Sequence, residues 1–380
     1  MKDTGAAAPN LYVHFPFCRR KCAYCALHSS AGSTPAMRAN HVSRAVKCVS
    51  GVEDRRFRTV YFGGGTPALC DLRPFRGLFP EDAEFTVELH PLDATDEKLD
   101  ELKSIGVNRI SLGVQSFCDT TLASMERLHS SEEAVRAFRR IRGASFLNSG
   151  LDLIVGWPGD KGALDSARRA VDLGAVHVSV YTLIVEPGTP LAGKAGGKGF
   201  EIPSDDATLD VLSSVRGILS EAGIARYEIS NYAKPGFECR HNLAVWHGED
   251  YLGIGPGAYS RVGRRRWHVA EGEDADGGGW RKVGEATLDA AQDARERALF
   301  ALRLADGLDF VRAERLFKPS ADEPDARQRQ VAEWKTTLEA WRTRLDALVA
   351  EGIVRRLSKM RYALTDRGFE VCDAVAAELI

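Results

Sequence analysis

Six short apolar stretches alternate with helix-period segments through the first half of this chain, and that alternation limits the fold most tightly. Leu11–Phe15, Thr59–Phe62, Phe85–Leu89, Arg109–Val114, Leu151–Val155 and Val176–Leu183 read as strands. Each is short, rich in β-branched or aromatic residues, and bounded by Gly, Pro or Asp. Between them lie segments such as Asp96–Ile105 and Ser131–Ile141, where Val135, Phe138 and Ile141 recur three apart on one helical face. Strand–helix alternation of this kind implies a parallel sheet with right-handed crossovers, either an open, partial TIM-type barrel or a flat doubly wound sheet. The ends of the strands favour the barrel. Each strand runs into a polar or glycine-rich feature, among them Gly63-Gly64-Gly65-Thr66-Pro67, Glu88-Leu89-His90-Pro91, Gln115-Ser116, Asp152 with Gly156-Trp157-Pro158-Gly159, and Glu186-Pro187-Gly188. Barrel enzymes build their sites from the C-terminal ends of strands.

The first of those strand ends carries Cys18, Cys22 and Cys25, spaced C-x3-C-x2-C. Three thiolates are one short of the four that close a structural zinc site or an ordinary iron–sulfur cluster. Two readings follow. In one, a fourth ligand completes a zinc knuckle, and His28 is the candidate close by. In the other, a cubane is held by three cysteines and one iron stays open for a further ligand. The triple glycine after Thr59–Phe62 is equally two-sided. It is a tight strand-to-helix turn, or a loop whose missing Cβ atoms let backbone amides approach a ligand. It lacks the Lys-Ser/Thr of a P-loop and the spacing of a dinucleotide turn.

The rest of the composition bounds the function classes. The 380 residues leave room for one large domain and a smaller one. A formal net charge of -2 argues against a dedicated nucleic-acid surface. No apolar run reaches the length of a membrane-spanning helix, and Met1–Asn10 lacks the apolar core of a signal peptide. Cys48, Cys70, Cys118, Cys239 and Cys372 are scattered without a pairing pattern, which fits a reducing compartment. The expected location is the cytoplasm.

Taken together, five motifs resemble one family. They are Tyr12-x-His14-x-Pro16-x-Cys18-x3-Cys22-x-Tyr24-Cys25, Phe62-Gly-Gly-Gly-Thr66-Pro67, Asn108-Arg109-Ile-Ser-Leu-Gly-Val-Gln115-Ser-Phe117, Asp152-Leu-Ile-Val-Gly-Trp-Pro158-Gly159 and Tyr227-Glu-Ile-Ser-Asn231-Tyr. The family is the radical S-adenosylmethionine (SAM) group that comprises oxygen-independent coproporphyrinogen III oxidases (HemN) and the heme chaperone HemW. The likeness runs from about Leu11 to Ser260. It implies a [4Fe–4S] cluster on Cys18, Cys22 and Cys25, with SAM chelating the open iron. It further implies a SAM site lined by Tyr12, Gly64, Gly65, Thr66, Glu88, Gln115, Arg127 and Asp152. Those residue types suit the ligand: Glu88 and Asp152 can accept from its amino or ribose hydroxyl groups, Gln115 can donate or accept, and Arg127 can pair with a carboxylate. Each also has a plainer role, and Arg127 in Met125-Glu126-Arg127-Leu128-His129 could equally lie on a solvated helix face.

Within that family two features lean toward the chaperone branch. Leu27 stands where the decarboxylating oxidase has a further cysteine, and the cluster motif begins almost at the first residue, without the oxidase's longer N-terminal extension. A third is Arg240-His241-Asn242-Leu-Ala-Val245-Trp246, which resembles the heme-binding H-N-x-x-Y-W motif of HemW with Val245 in place of Tyr. His241 would be the iron ligand and Trp246 the apolar cover of a macrocycle, with Cys239 and His247 as other nearby ligands; the alternative is that both only pack a loop against the barrel. A second departure is His90, where relatives have Asn. The implied partners are heme, apo-heme recipient proteins including membrane-associated ones, and a reductant protein for the cluster. The competing reading is a radical enzyme that decarboxylates coproporphyrinogen III or transfers a methyl or adenosyl group to heme.

The domain plan expected is a barrel over residues 1–260, a linker over 261–290 and a C-terminal module over 291–380. Arg264-Arg265-Arg266 and the glycine-rich stretch Glu271–Gly279 suggest the linker. Ala291–Leu304 and Trp334–Glu351 read as amphipathic helices, followed by Gly352, two short strands and a closing helix, the outline of a small winged-helix-like α+β domain.

Overall fold

The computed structural model describes residues 9–195, 197, 200–271, 280–317 and 324–379. The six expected strands form as β1 (Asn10–Phe15), β2 (Thr59–Gly64), β3 (Glu84–Leu89), β4 (Arg109–Gln115), β5 (Asn148–Val155) and β6 (His177–Thr182). They pair in parallel in sequence order, β1-β2-β3-β4-β5-β6. Their core faces carry the apolar residues that packing needs: Leu11, Val13, Phe15, Val60, Phe62, Val87, Ile110 and Leu112 are all essentially inaccessible to solvent. Helices such as Asp96–Ser104 and Ser131–Gly143 cover the outside. The second has a reciprocal cap, with Ser130 accepting from the Glu133 amide and Glu133 accepting from that of Ser130, so it starts where its sequence says.

Beyond β6 and β1 the sheet continues. Ala225–Arg226 (β7) and Asn231–Ala233 (β8) extend one side, and Tyr251–Ile254 (β9), Tyr259–Val262 (β10), Arg265–Val269 (β11) and Lys282–Thr287 (β12) the other. The strand order is β12-β11-β10-β9-β1-β2-β3-β4-β5-β6-β8-β7, with β9 parallel to β1 and the outer strands antiparallel. Among the described residues the two edges do not pair, so the sheet is an open barrel.

This corrects the linker expected over 261–290. Its Arg265-Arg266 charge run opens β11, where Arg265 meets Glu285 and Arg266 reaches Glu296 at 3.0 Å. The face that Arg265 begins continues into Trp267 and Val269, both buried in the main core. A period-two alternation was present beneath the charges, and their density hid it. Residues 272–279, most of the glycine-rich stretch, lie outside the described residues.

The C-terminal module is built in the order helix (Ala290–Phe300), strand β13 (Leu308–Asp309), helix (Phe310–Leu316), helix (Pro324–Ala350), and strands β14 (Val354–Ser358) and β15 (Arg361–Leu364). Its antiparallel sheet has the order β13-β15-β14, the arrangement of a winged helix. A separate core around Trp334, Trp341, Leu345 and Tyr362 holds it together. Ion pairs weld it to the barrel: Arg261 of β10 reaches Asp293 at 2.6 Å, and Arg297 reaches Asp250 at 2.7 Å.

Candidate cluster and SAM pocket

The C-terminal ends of β1–β6 enclose a cavity of about 500 Å³, and it collects the sequence-predicted residues from every strand. Cys18, Cys22 and Cys25 line it as partly exposed free thiols. Their loop is pinned on several sides. Phe17–Cys18 bridges to Ser30–Ala31, the Ala23 amide donates to the Met125 carbonyl, and its own carbonyl accepts from Leu191. Burial pushes the Cys18 and Cys25 thiols up, so iron rather than bulk solvent would have to displace their protons. Among the described residues no three His, Cys, Asp or Glu side chains converge on a single-ion site. His28, the expected fourth zinc ligand, turns its Nδ1 toward Glu271 at 3.5 Å. Three spaced thiols on one cavity wall fit a cubane, in which each thiolate takes a different iron.

Arg127 completes that wall. It lies inside the cavity and not on a solvated helix face: Nη1 donates to Cys22 Sγ at 3.3 Å and Nη2 to the Gly113 carbonyl. Its Nε is buried without a hydrogen-bond partner, an orphan donor beside the thiols that an anionic group would satisfy. A fixed guanidinium there suits both an anionic cluster and a ligand carboxylate.

The glycine loop and Glu88 form the next wall. Glu88 takes the Gly64 amide at 3.1 Å on one oxygen and the Tyr61 hydroxyl at 2.8 Å on the other. Burial raises its pKa to about 7 despite the Tyr61 bond, and the nearby Asp152 adds to the rise. Gly63 must lack a side chain because a Cβ would stand 2.9 Å from the Glu88 carboxylate. Gly64 and Gly65 are required for a different reason from the one expected. Gly64 has φ +105° and a Cβ there would meet the His14 ring at 2.5 Å, while one on Gly65 would meet the Phe17 carbonyl at 2.5 Å. Both glycines serve the packing of the loop under the cysteine segment, as well as the lining of the cavity. Thr66 follows, buried, with its amide on the Phe17 carbonyl.

The remaining predicted residues come from the other strands. Tyr12 lines the cavity from β1, its hydroxyl 3.0 Å from His14 Nδ1. Gln115 ends β4 at a bulge with φ +71°, a left-handed backbone rare outside glycine that turns the cavity wall. Asp152 accepts from Ser111 at 2.9 Å, and burial raises its pKa. His90 also lines the cavity and passes a hydrogen bond at 3.4 Å to His129, which meets the Val114 carbonyl just before the bulge. Sequence reasoning missed Tyr61, Ser111 and Tyr181. Their only signal is that they alternate in phase with inward-facing neighbours, and inward is defined only once the sheet curls.

His241 and Trp246 lie outside this cavity. They lie on a helix, Arg240–Trp246, not on a loop. His241 is 6% exposed, its Nδ1 is 2.8 Å from Thr59 Oγ1, and burial pushes its imidazole down to about 3. Five residues along a helix is roughly 140° of rotation, so Trp246 faces elsewhere. It packs edge-on to Phe300 of the C-terminal module with Arg303 over its ring at 4.9 Å. Cys239 is fully buried beside Glu84. The segment packs the base of the barrel.

Comparison with known proteins agrees with the pocket. The family model described as the Radical SAM superfamily matches residues 12–169. The heme chaperone HemW of Escherichia coli K12 is 36% identical over 67% of this chain and 70% of its own length. That of Mycobacterium tuberculosis H37Rv is 31% identical over 97% of this chain and 94% of its own. Among solved structures, the Escherichia coli coproporphyrinogen III oxidase (HemN), described as a radical SAM enzyme, superposes with a TM-score of 0.78 at 20% identity, covering 98% of this chain and 90% of that one. That last likeness is one of fold. With three cysteines and a SAM-type wall on one cavity, and relatives alike over nearly the whole length, the chain belongs to the HemW family of radical SAM proteins.

Proposed function

We propose that this protein is a cytoplasmic heme chaperone that binds heme and hands it to apo-proteins. The observation that carries the reading is the near-full-length likeness to proteins named heme chaperones, C-terminal module included. Leu27 supports it: an exposed apolar side chain stands at the cavity rim where the oxidase branch has cysteine. Cys18, Cys22 and Cys25 would hold the cluster, and Gly64, Glu88, Gln115, Arg127 and Asp152 would hold SAM. When bound, that pair supplies reductive cleavage of SAM. The chain's own residues do the rest: the Arg127 guanidinium neutralises anionic charge beside Cys22, and Glu88 offers a carboxylate to a cationic amino group. Among the described residues no helix is long and apolar enough to cross a membrane, so any membrane-associated recipient is met from outside the bilayer in this reading.

The test is a heme titration of the purified protein followed by mixing with apo-myoglobin. Heme bound at one per chain, with a transfer rate that grows with apo-protein concentration, is the expected result. A rate independent of acceptor would mean simple release. In parallel, the reconstituted protein is given SAM and coproporphyrinogen III under reducing, anaerobic conditions. Protoporphyrinogen formation without heme binding would replace the chaperone by an oxidase.

A further inference from the structure

The N-terminal ends of β1–β4 hold a second polar cluster, sealed from solvent and unused by the cavity above. Asn10, Thr59, Glu84 and Arg109 begin these four strands, and all four are buried. The Arg240–Trp246 helix closes this end. Glu84 accepts the amides of Arg240 and His241, each at 3.1 Å, which anchors the first turn of the helix. The His241 ring then enters the barrel. Thr59 donates its one hydroxyl proton to Asn10 Oδ1 at 2.9 Å, so toward His241 it can only accept, and Nδ1 must carry the imidazole proton.

Above this anchor the imidazole packs against Tyr61, ring centroids 5.2 Å apart, and more loosely against Tyr12 at 6.5 Å. The Tyr61 hydroxyl in turn holds Glu88, whose other oxygen holds the Gly64 amide. An unbroken path of contacts therefore runs from the closing helix to the SAM-side loop: Thr59, His241, Tyr61, Glu88, Gly64.

We propose that His241 is a positioning residue for the SAM site: its imidazole, fixed by Thr59, sets the Tyr61 ring so that the phenol holds Glu88 against the glycine loop. This role needs no metal at His241 and accounts for a polar ring in a buried place. It goes beyond the chaperone reading and stands whether or not heme is bound. The mechanism makes a specific demand on Glu88. The charged and titratable groups facing that carboxylate are Tyr61, Tyr12, Asp152, Arg109 and Tyr181. Of these, the Tyr61 hydroxyl favours the ionised form by direct donation. Loosening Tyr61 leaves Glu88 harder to ionise, and a cationic amino group then finds a carboxylate only at higher pH.

The experiment measures SAM affinity against pH in the cluster-reconstituted protein for wild type, His241→Ala, Thr59→Val and Tyr61→Phe, with heme spectra of the same samples. Tyr61→Phe should weaken SAM about tenfold near neutral pH and move the binding midpoint upward, the scale of one lost hydrogen bond to a charged group. His241→Ala should do the same by about fivefold, and Thr59→Val by less, in the same direction. A merely structural loss would weaken binding equally at every pH, and an unmoved midpoint overturns the proposal. If His241→Ala does not fold, Thr59→Val decides alone: it keeps the ring and removes only its anchor, so an upward midpoint upholds the role and an unchanged one overturns it. Loss of the heme Soret band in His241→Ala with wild-type SAM affinity would make His241 an iron ligand and end the proposal.

Discussion

At the C-terminal end of the barrel, polar side chains stand around an open space; at the N-terminal end, they face one another. Arg127 above has a buried Nε with no partner, and the three cysteines there are free. Glu84 below accepts from two backbone amides, and Thr59 bridges Asn10 and His241. Both ends are rich in residues that chemistry uses. What separates them is access: unspent hydrogen-bonding capacity on a cavity, as at Arg127 Nε, can be met by a ligand, whereas groups sealed among their neighbours, Arg109 with its own unpartnered Nε included, hold the fold.

Substitutions can break that division, and the largest effect belongs to the open end. Cys22→Ala should abolish the broad brown absorption of the reconstituted protein and take iron from about four per chain to near none. The closed end should be untouched; retained iron would show that Cys22 is not a ligand. Next is the closed end itself. Glu84→Ala leaves two helix amides without their acceptor and removes one carboxylate from the surroundings of Arg109, and should cost about 2–5 kcal/mol in denaturant unfolding. A loss below about 1 kcal/mol would mean that the base of the barrel is not held by this network.

Gly65→Ala comes third. A Cβ there meets the Phe17 carbonyl, a backbone atom that cannot swing away, so the cost should be about 1–3 kcal/mol with some loss of cluster assembly. Unchanged stability would show the loop to be looser than its packing. The pH dependence of stability is spread over several pH units, and its sign is set. Burial raises the Glu88 pKa from 4.5 to about 7, so the folded state favours the protonated acid. Its contribution is fully present below about pH 4.5 and is lost as pH rises through about 7, about 3 kcal/mol at most. Glu88→Gln should flatten stability over that window, and an unaltered slope would assign it to other groups. Smallest is Trp246→Phe, which keeps an aromatic ring against Phe300. It should cost about 1 kcal/mol and leave the heme spectrum as it was; a changed spectrum would return Trp246 to the heme site.

The amino-acid sequence by itself determined the six strands of the barrel, because period and punctuation are local, and each strand appears within a few residues of its expected bounds. It likewise determined the cysteine triplet and the glycine loop, whose members are neighbours in the chain. Arg127 was visible as a candidate but not as a partner of Cys22, which is 105 positions away. Tyr61, Ser111 and Tyr181 were silent because facing inward is a property of the curled sheet. Charge density hid strand β11, whose Trp267 shows its purpose only against the core. His241 marks the boundary most sharply. An exposed ligand and a buried anchor read identically in sequence, and its pairing with Thr59 spans 182 positions. Only the tertiary structure brought the two together, because burial and hydrogen-bond saturation are relations between distant parts of a chain and are written in neither part alone.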